Sequence, residues 1–436
     1  MATKQKNAID HQMTVALRIR PFNMTETKNR AQRITQQLGL QTVLLKDPGE
    51  DPYDVLRSSR TREATFTFNH VFNQAATQEN VYDSTMKNIV DDILAGYNAA
   101  IFAYGPTGTG KTYTMMGKPR EPGLMYLTLK DLFKTIEETG RRDNFSVSLS
   151  YAEIYNETIR DLLRPNSGSL ALSEDPYGNP KIVGITALSP STPEKAMTML
   201  KTGNKRRSET TTTANKTSSR SHAVLQVTVK QTGSDGVSTG RLYMVDLAGS
   251  ERASQTTNSG KTMKEGGYIN RSLLALRNCI MALRERPGSH INYRDSKLTW
   301  LLKGALSGKS RMVMIAHISP ADSAYEDTRS TMTYGSKAKF IKTRVERNSV
   351  PHGTAERGRG GNVLQNDSHP PEANHMTRAP SAKDMQFIMR RTMAPLNNLP
   401  RMVPLAKNLQ SAHEISATAR ASANSYTFLE LARRWL

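Results

Sequence analysis

Ala99-Ala-Ile-Phe-Ala-Tyr104-Gly105-Pro-Thr-Gly-Thr-Gly110-Lys111-Thr112-Tyr113 joins an apolar run of strand length to a glycine-rich loop closing on Lys-Thr. The loop fits G-x-x-x-x-G-K-[ST] and lies where that pattern requires, after a strand and before a helix opening at Thr112-Tyr-Thr-Met-Met116. Glycines let the loop curl so that backbone N–H groups face phosphate oxygens. Lys111 adds a point charge for the β and γ groups, and the Thr112 hydroxyl offers itself to Mg²⁺. The candidate cradle is therefore Gly105, Pro106, Thr107, Gly108, Thr109, Gly110, Lys111 and Thr112, with Tyr113 following.

Outward from this loop the chain alternates short apolar runs with helical spacing. Met13–Ile19, Phe145–Tyr151, Ala223–Val229, Leu242–Asp246 and Met312–His317 read as strands that join Ala99–Tyr104 in one central sheet. Val81–Leu94, Leu124–Thr139, Pro193–Thr202 and Ile269–Glu285 read as helices. In the last, Ile269, Leu273, Leu276, Ile280 and Leu283 recur at i, i+4, i+7, i+11 and i+14, on one face. The expectation is a three-layer α/β/α domain.

The chain has 436 residues, 37% hydrophobic and 23% charged, which is enough to bury a large core. No apolar run approaches the roughly 18–20 residues needed to cross a bilayer, and the N-terminus lacks a signal-peptide stretch. The lone Cys279 excludes an intramolecular disulfide and suits a reducing compartment, cytoplasm or nucleus; within an apolar helix face it reads as core. Sixty Lys and Arg against thirty-nine Asp and Glu leave a formal +21, which favours a large acidic partner. Eleven basic and six acidic side chains fall in residues 349–436, so +16 resides in residues 1–348. Beyond Asn348, Pro351, Pro370, Pro371, Pro380, Pro395, Pro400 and Pro404 interrupt any periodicity. A mostly disordered tail is expected over 349–436, with a possible short C-terminal helix and no heptad repeat to dimerise through.

Two further segments carry chemistry. Val245-Asp246-Leu-Ala-Gly249 follows an apolar strand; Asp246 can hold the metal through water and the Gly249 amide can sense the γ-phosphate. Alone, Asp246 could equally cap the next turn. Asn215-Lys-Thr-Ser218-Ser219-Arg220-Ser221-His222 clusters hydroxyls and an arginine that either ligate Mg²⁺ and position water or form a solvated polar loop. The chain has no [NT]-K-x-D segment of the kind a guanine site uses, so adenine is favoured. Arg18, Arg20, Pro21 and Tyr113 offer surfaces for stacking it, though the arginines could be ordinary charges at a strand end.

Taken in order, these segments resemble the kinesin motor domain over about residues 12–347. The resemblance rests on Arg18-x-Arg20-Pro21, Phe102-Ala-Tyr-Gly105, Gly110-Lys111-Thr112, Tyr151-Ala-Glu-Ile-Tyr-Asn-Glu157, Ser218-Ser-Arg-Ser-His222, Asp246-Leu-Ala-Gly-Ser-Glu251-Arg252, Ile269-Asn-Arg-Ser-Leu273 and Tyr293-Arg-Asp-Ser-Lys-Leu-Thr299. Glu50–Arg57, Glu251–Thr256 and His317–Ala321 look most like the kinesin-eight subfamily and its kinesin-nineteen-like branch, which regulates cilium length. What this implies is a P-loop NTPase with a central, mostly parallel mixed sheet. Its activity would be ATP hydrolysis with Mg²⁺, stimulated by microtubules, moving toward plus ends and shortening them there. The segmentation implied is an extension at 1–11, a motor domain at 12–340, a neck-linker-like segment at 341–348, and the tail. Localisation would be on microtubules in cytoplasm or cilium.

By the same resemblance, Ser218 and Ser219 form the first switch, with Ser219 near Mg²⁺ beside Thr112 and Asp246. Arg220 and Glu251 form an ion pair that aligns the attacking water, Gly249 reports the γ-phosphate, and Asn270 couples the second switch to its helix. Little covalent chemistry is asked of the protein; positioning and electrostatics do the work. The microtubule face would hold Lys264, Arg271, Arg277, Arg294 and Lys297, and Lys261, Arg284 and Arg286 crowd the same stretch. Arg57, Arg60 and Arg62 would reach a neighbouring tubulin. Trp300 stands where the family usually has a basic residue, Arg277 where it has glycine, and Lys303–Ser307 lacks a usual acidic residue and glycine. A nucleotide-regulated microtubule-end binder that turns over slowly therefore stands as the second reading. A nucleic-acid translocase, the third, is opposed by Ser218–His222 together with Asp246–Glu251, and no membrane partner is expected.

Overall fold

The computed structural model describes residues 8–49, 63–175, 178–209, 219–234, 236–251, 261–285 and 290–350, with backbone only at 8, 208–209, 261–270 and 350. One sheet runs through the domain. Its eight main strands are β1 (Thr14–Ile19), β2 (His70–Phe72), β3 (Ala99–Tyr104), β4 (Phe145–Tyr155), β5 (Thr158–Asp161), β6 (His222–Gly233), β7 (Gly236–Asp246) and β8 (Arg311–Ile318). In space they run β5-β4-β6-β7-β3-β8-β1-β2. Pairings from β7 through β3, β8 and β1 to β2 are parallel. Those among β5, β4, β6 and β7 are antiparallel. The mixed sheet thus gathers its parallel pairings in one half, and the glycine-rich loop leaves from β3, between β7 and β8.

Alternation along the strands sorts the core into two layers. Ala16, Ala99, Ile101, Ala103, Leu225 and Met244 face α1 (Gln78–Thr85), α2 (Lys87–Leu94), α4 (Leu124–Glu138) and α5 (Pro193–Glu209). Val15, Leu17, Phe102, Val224, Val245 and Met314 face the other way. There they meet α6 (Lys261–Glu285), α7 (Lys297–Leu301), α8 (Lys303–Leu306) and α9 (Tyr325–Ala338). With both faces covered, β3 is buried at every residue, which is why its sequence is an unbroken apolar run. The expected three layers are present. Cys279 is buried in the second layer, where burial raises its thiol to about 11.

Where one helix was expected over Val81–Leu94, the structure has α1 and α2. Met86, wholly buried, stands between them at φ −119°. The short α3 (Lys111–Met116) opens at Gly110, φ 95°, a left-handed conformation that glycine adopts without strain. Gly105 has a different reason: a Cβ there would fall on the His317 carbonyl oxygen. The hairpin between β4 and β5 turns on Asn156 and Glu157, at φ 51° and 55°, the two-residue turn whose twist suits paired strands.

The segment after α9 is zippered to the domain. Lys342–Glu346 pairs antiparallel with Ala8–Gln12. Arg344 and Glu346 donate N–H groups to the Gly308 and Lys309 carbonyls, at 2.7 and 3.1 Å. Ser349 and Val350 then extend the sheet beside Ser238 and Val237 of β7. The expected tail from 351 lies outside the described residues, as do Arg57, Arg60, Arg62, Ser218 and Arg286 and the side chains of Lys261, Lys264 and Asn270.

Candidate nucleotide site

The glycine-rich loop closes on its own lysine. Lys111 is 7% exposed, and its Nζ donates to the Gly105 and Pro106 carbonyls, both at 2.8 Å. Burial lowers the ammonium to about 8. Thr109 Oγ1 donates to the Pro106 carbonyl at 2.7 Å and fixes the inner curve of the loop. Thr107 and Gly108 stand exposed at its crest.

Asp246, at the end of β7, gathers the next layer. Its Oδ2 accepts from Thr112 Oγ1 and from Arg207 Nη1, each at 2.7 Å. Its Oδ1 is buried with no hydrogen-bond partner among the described residues. A buried anionic oxygen beside a threonine hydroxyl is a hard donor set suited to Mg²⁺, which is usually held by one or two carboxylates plus substrate phosphates.

Arg207 did not figure among the expected site residues, yet among the described residues it is the largest fully buried side chain. Beyond Asp246 it donates through Nη2 to the Ser221 carbonyl at 2.7 Å and through Nε to Ser221 Oγ at 3.0 Å. A signal was present. Ala196, Leu200, Gly203 and Arg207 recur at i, i+4, i+7 and i+11 on α5, so the helix phase aims this arginine inward while Lys205 points to solvent.

Three loops are laced together above this floor. The Gly249 N–H donates to the Ser219 carbonyl at 2.8 Å, and the Ser250 N–H to the Gly105 carbonyl at 3.1 Å. Glu251 reaches back to accept from the Thr107 N–H at 2.8 Å and from the Thr107 hydroxyl. A Cβ on Gly249 would collide with that hydroxyl and with both Glu251 carboxylate oxygens. Glu251 thus engages the phosphate loop, while Ser219 and Arg220 stand half-buried at the start of the turn into β6.

Two histidines brace the site as neutral rings of opposite tautomer. His222 Nδ1 accepts from the Ala248 N–H at 3.1 Å, leaving Nε2–H to donate to Ser272 Oγ of α6 at 2.8 Å. His317 donates Nδ1–H to the Ile315 carbonyl at 2.9 Å, since a carbonyl only accepts, so its Nε2 accepts a hydrogen bond from the Thr114 hydroxyl at 2.7 Å. Burial holds both rings at about 3.

Of the expected adenine residues, Arg18 is committed to the interior. It donates to Gln78 Oε1 at 2.7 Å and Thr114 Oγ1 at 2.9 Å, beneath the Tyr113 ring at 5.2 Å from its centroid. Arg20 is paired with Glu26 at 2.5 Å, a hydrogen bond that lowers the carboxyl. Pro21 is exposed and Tyr113 half-buried, so these two rings present the open surface there. Gln78, which also donates to the Tyr113 carbonyl at 2.7 Å, is a further residue the sequence reading did not single out.

The cationic surface lies on the opposite layer. Arg271, Leu274 and Arg277 share the exposed face of α6, and the Arg277 guanidinium rests 5.5 Å from the Tyr334 ring centroid. Arg294 is exposed and Lys297 half-buried. Trp300 Nε1 donates to Glu174 Oε1 at 3.1 Å, an oxygen shared with Arg294 at 3.2 Å and Lys303 at 3.3 Å.

A profile of the kinesin motor domain matches residues 18–341. Kinesin-like protein KIF19 of Homo sapiens is 54% identical over 345 residues, 78% of this chain and 35% of that protein. KIN-8B of Arabidopsis thaliana is 44% identical over 77% of this chain and 42% of its own length. The chain thus spans well under half the length of these relatives. Among solved structures, a KIF14 dimer in a two-heads-bound state with AMP-PNP, in complex with a microtubule, superposes with a TM-score of 0.71 at 35% identity, covering 78% of this chain and 97% of that one. A fast kinesin gives 0.69, also at 35% identity, covering 79% and 96%. Matched through the loop at Gly105, the Asp246 strand end and the fold that joins them, this chain belongs to the kinesin motor domain family.

Proposed function

We propose that the chain is a microtubule-stimulated ATPase motor of kinesin-eight type, plus-end-directed and able to shorten plus ends. The observation that carries this reading is the lacing of Thr107, Gly249, Ser219 and Glu251. The γ-phosphate of a bound nucleotide would compete for the same N–H groups, so its arrival and loss would move both loops. Lys111 and the loop amides bind the phosphates. Thr112, Asp246 and Ser219 would hold Mg²⁺, which supplies charge neutralisation on phosphate oxygens when bound. Glu251, once drawn from Thr107, would pair with Arg220 and orient the attacking water, and Pro21 with Tyr113 would flank the adenine.

Transmission has a physical route. His222 ties the Ala248 amide, two residues beyond Asp246, to Ser272 on α6, so displacement of the Asp246 loop pulls on the helix carrying Arg271 and Arg277. Residues 12–340 act as the motor and 341–348 as a neck linker docked against Ala8–Gln12. Arg271, Arg277, Arg294 and Lys297 would face the acidic surface of tubulin, with Lys264 in the same stretch of sequence, and the protein would work on microtubules of the cytoskeleton, in cytoplasm or cilium. Imaging of stabilised microtubules with the full chain tests this. ATP is expected to give movement toward, and loss of length from, plus ends, with neither in a non-hydrolysable analogue. Static binding in both nucleotides would replace the motor by a nucleotide-regulated end binder.

A further inference from the structure

A cavity of about 220 Å³ lies against the sheet on the α7–α8 side, away from the nucleotide site. Its floor is made by side chains of neighbouring antiparallel strands, Ser150 of β4, Gln226 of β6, and Arg241 and Tyr243 of β7. Its roof is the hairpin pairing Leu172–Glu174 with Pro180–Ile182, and Gly304 of α8 closes one side. At about 30 Å³ per molecule, liquid water would fill the space with roughly seven molecules, so it suits a small ligand rather than a drug-sized one.

The lining is weighted toward donors. The Arg241 guanidinium carries five N–H groups and makes no hydrogen bond or ion pair with any described residue, while its backbone N–H is held by Asn98 Oδ1 at 3.0 Å. Burial raises the Tyr243 phenol, which keeps it a donor. Lys181 adds a second cation at the rim. The one carboxylate in the lining, Asp175, already accepts from the Asn179 N–H at 2.8 Å and from its amide group at 3.1 Å. Apolar surface is supplied by Ile182, Val224 and Leu301. On Gly304 a Cβ would meet nothing within 4 Å, so that stretch of the wall has room.

We propose that this cavity is a second ligand site, taking a small carboxylate or phosphate monoester with a short apolar body, its anionic group on Arg241 and Tyr243. A charge-assisted hydrogen bond to a planar guanidinium in a half-buried setting is among the stronger single polar contacts a protein offers. The site is independent of the nucleotide loop, and its existence does not rest on motor activity. Because the roof hairpin also carries Glu174, which accepts from Trp300, ligand uptake has a built-in reporter.

Benzoate and phenyl phosphate are the probes, titrated calorimetrically into full-length protein saturated with Mg²⁺ and ADP to block the phosphate loop. A parallel titration follows Trp300 fluorescence in a Trp435→Phe background, which leaves that indole alone in the chain. One equivalent of saturable binding by either probe is expected, with the better probe telling carboxylate from phosphate. Arg241→Leu is expected to weaken it at least tenfold. Gly304→Asp, which adds a carboxylate to the cavity wall and so opposes an anionic ligand, is expected to abolish it. Absence of saturable binding for both probes at millimolar concentration overturns the proposal, as does binding that both variants leave unchanged.

Discussion

Replacing Arg207 by methionine removes the cation that sits 2.7 Å from Asp246, in a pair whose side chains are 1% and 2% exposed. Asp246 would keep only the Thr112 hydroxyl on Oδ2, with Oδ1 already unpartnered. Breaking a buried pair in this way costs about 3–5 kcal/mol, because the penalty is that of the charge left behind rather than the net worth of the pair. The Ser221 carbonyl also loses its donor, a loss of about 1–3 kcal/mol that overlaps the first and does not simply add. Unfolding in guanidinium followed by circular dichroism, without nucleotide, should show the variant destabilised by about 3–5 kcal/mol. Adding Asp246→Asn removes the stranded charge and should recover at least half of that loss. A single-variant loss below about 1 kcal/mol, the value of an exposed pair, refutes the reasoning. So does a double variant no more stable than the single one.

Further outcomes follow from the same geometry. His222 and His317 sit at about 3 when folded against 6.5 as ordinary histidines, so the unfolded chain binds protons that the folded one refuses; their contribution is complete above 6.5 and lost as pH falls toward 3. Each ring should add a slope of about 1.4 kcal/mol per pH unit near pH 4–5.5, and a His317→Gln variant whose urea midpoint shows an unreduced acid slope contradicts this. Lys111 loses its proton near 8, so ADP affinity measured by fluorescent-analogue titration should fall up to tenfold per pH unit above that value; a flat profile from pH 7 to 9 would show the ammonium is not needed. Trp300→Arg adds a cation beside Arg294 and should tighten microtubule co-sedimentation at low salt by about 1.4- to 5-fold, as a surface ion pair of about 0.2–1 kcal/mol would. Unchanged or weakened binding would place the residue off the partner surface.

The parts of the fold legible in the sequence were those where burial and function left a single reading. Ala99–Tyr104 came out residue for residue because burial on both faces permits only small and apolar side chains. The hairpin of β6 and β7 extends well beyond the runs Ala223–Val229 and Leu242–Asp246 that the sequence marks as strands. Its outer rungs, Lys230 with Thr239 and Gln231 with Ser238, are held by backbone bonds and carry polar side chains with no strand pattern. The site divided likewise. Lys111, Thr112 and Asp246 belong to local motifs and meet in space as expected. Arg207 carries its information in the phase of a helix that ends before the motif it serves, and Arg18 turns inward because Gln78 and Thr114, distant in sequence, await it.

In the proposed motor, microtubule binding accelerates a hydrolysis organised by Glu251 and the loops it touches. Steady-state ATPase of the full chain, with and without stabilised microtubules, tests it most directly when run beside Glu251→Ala. Strong stimulation in the wild type, with the variant still binding nucleotide but no longer stimulated, is the expected result; turnover indifferent to microtubules, or a variant as fast as the wild type, would contradict it.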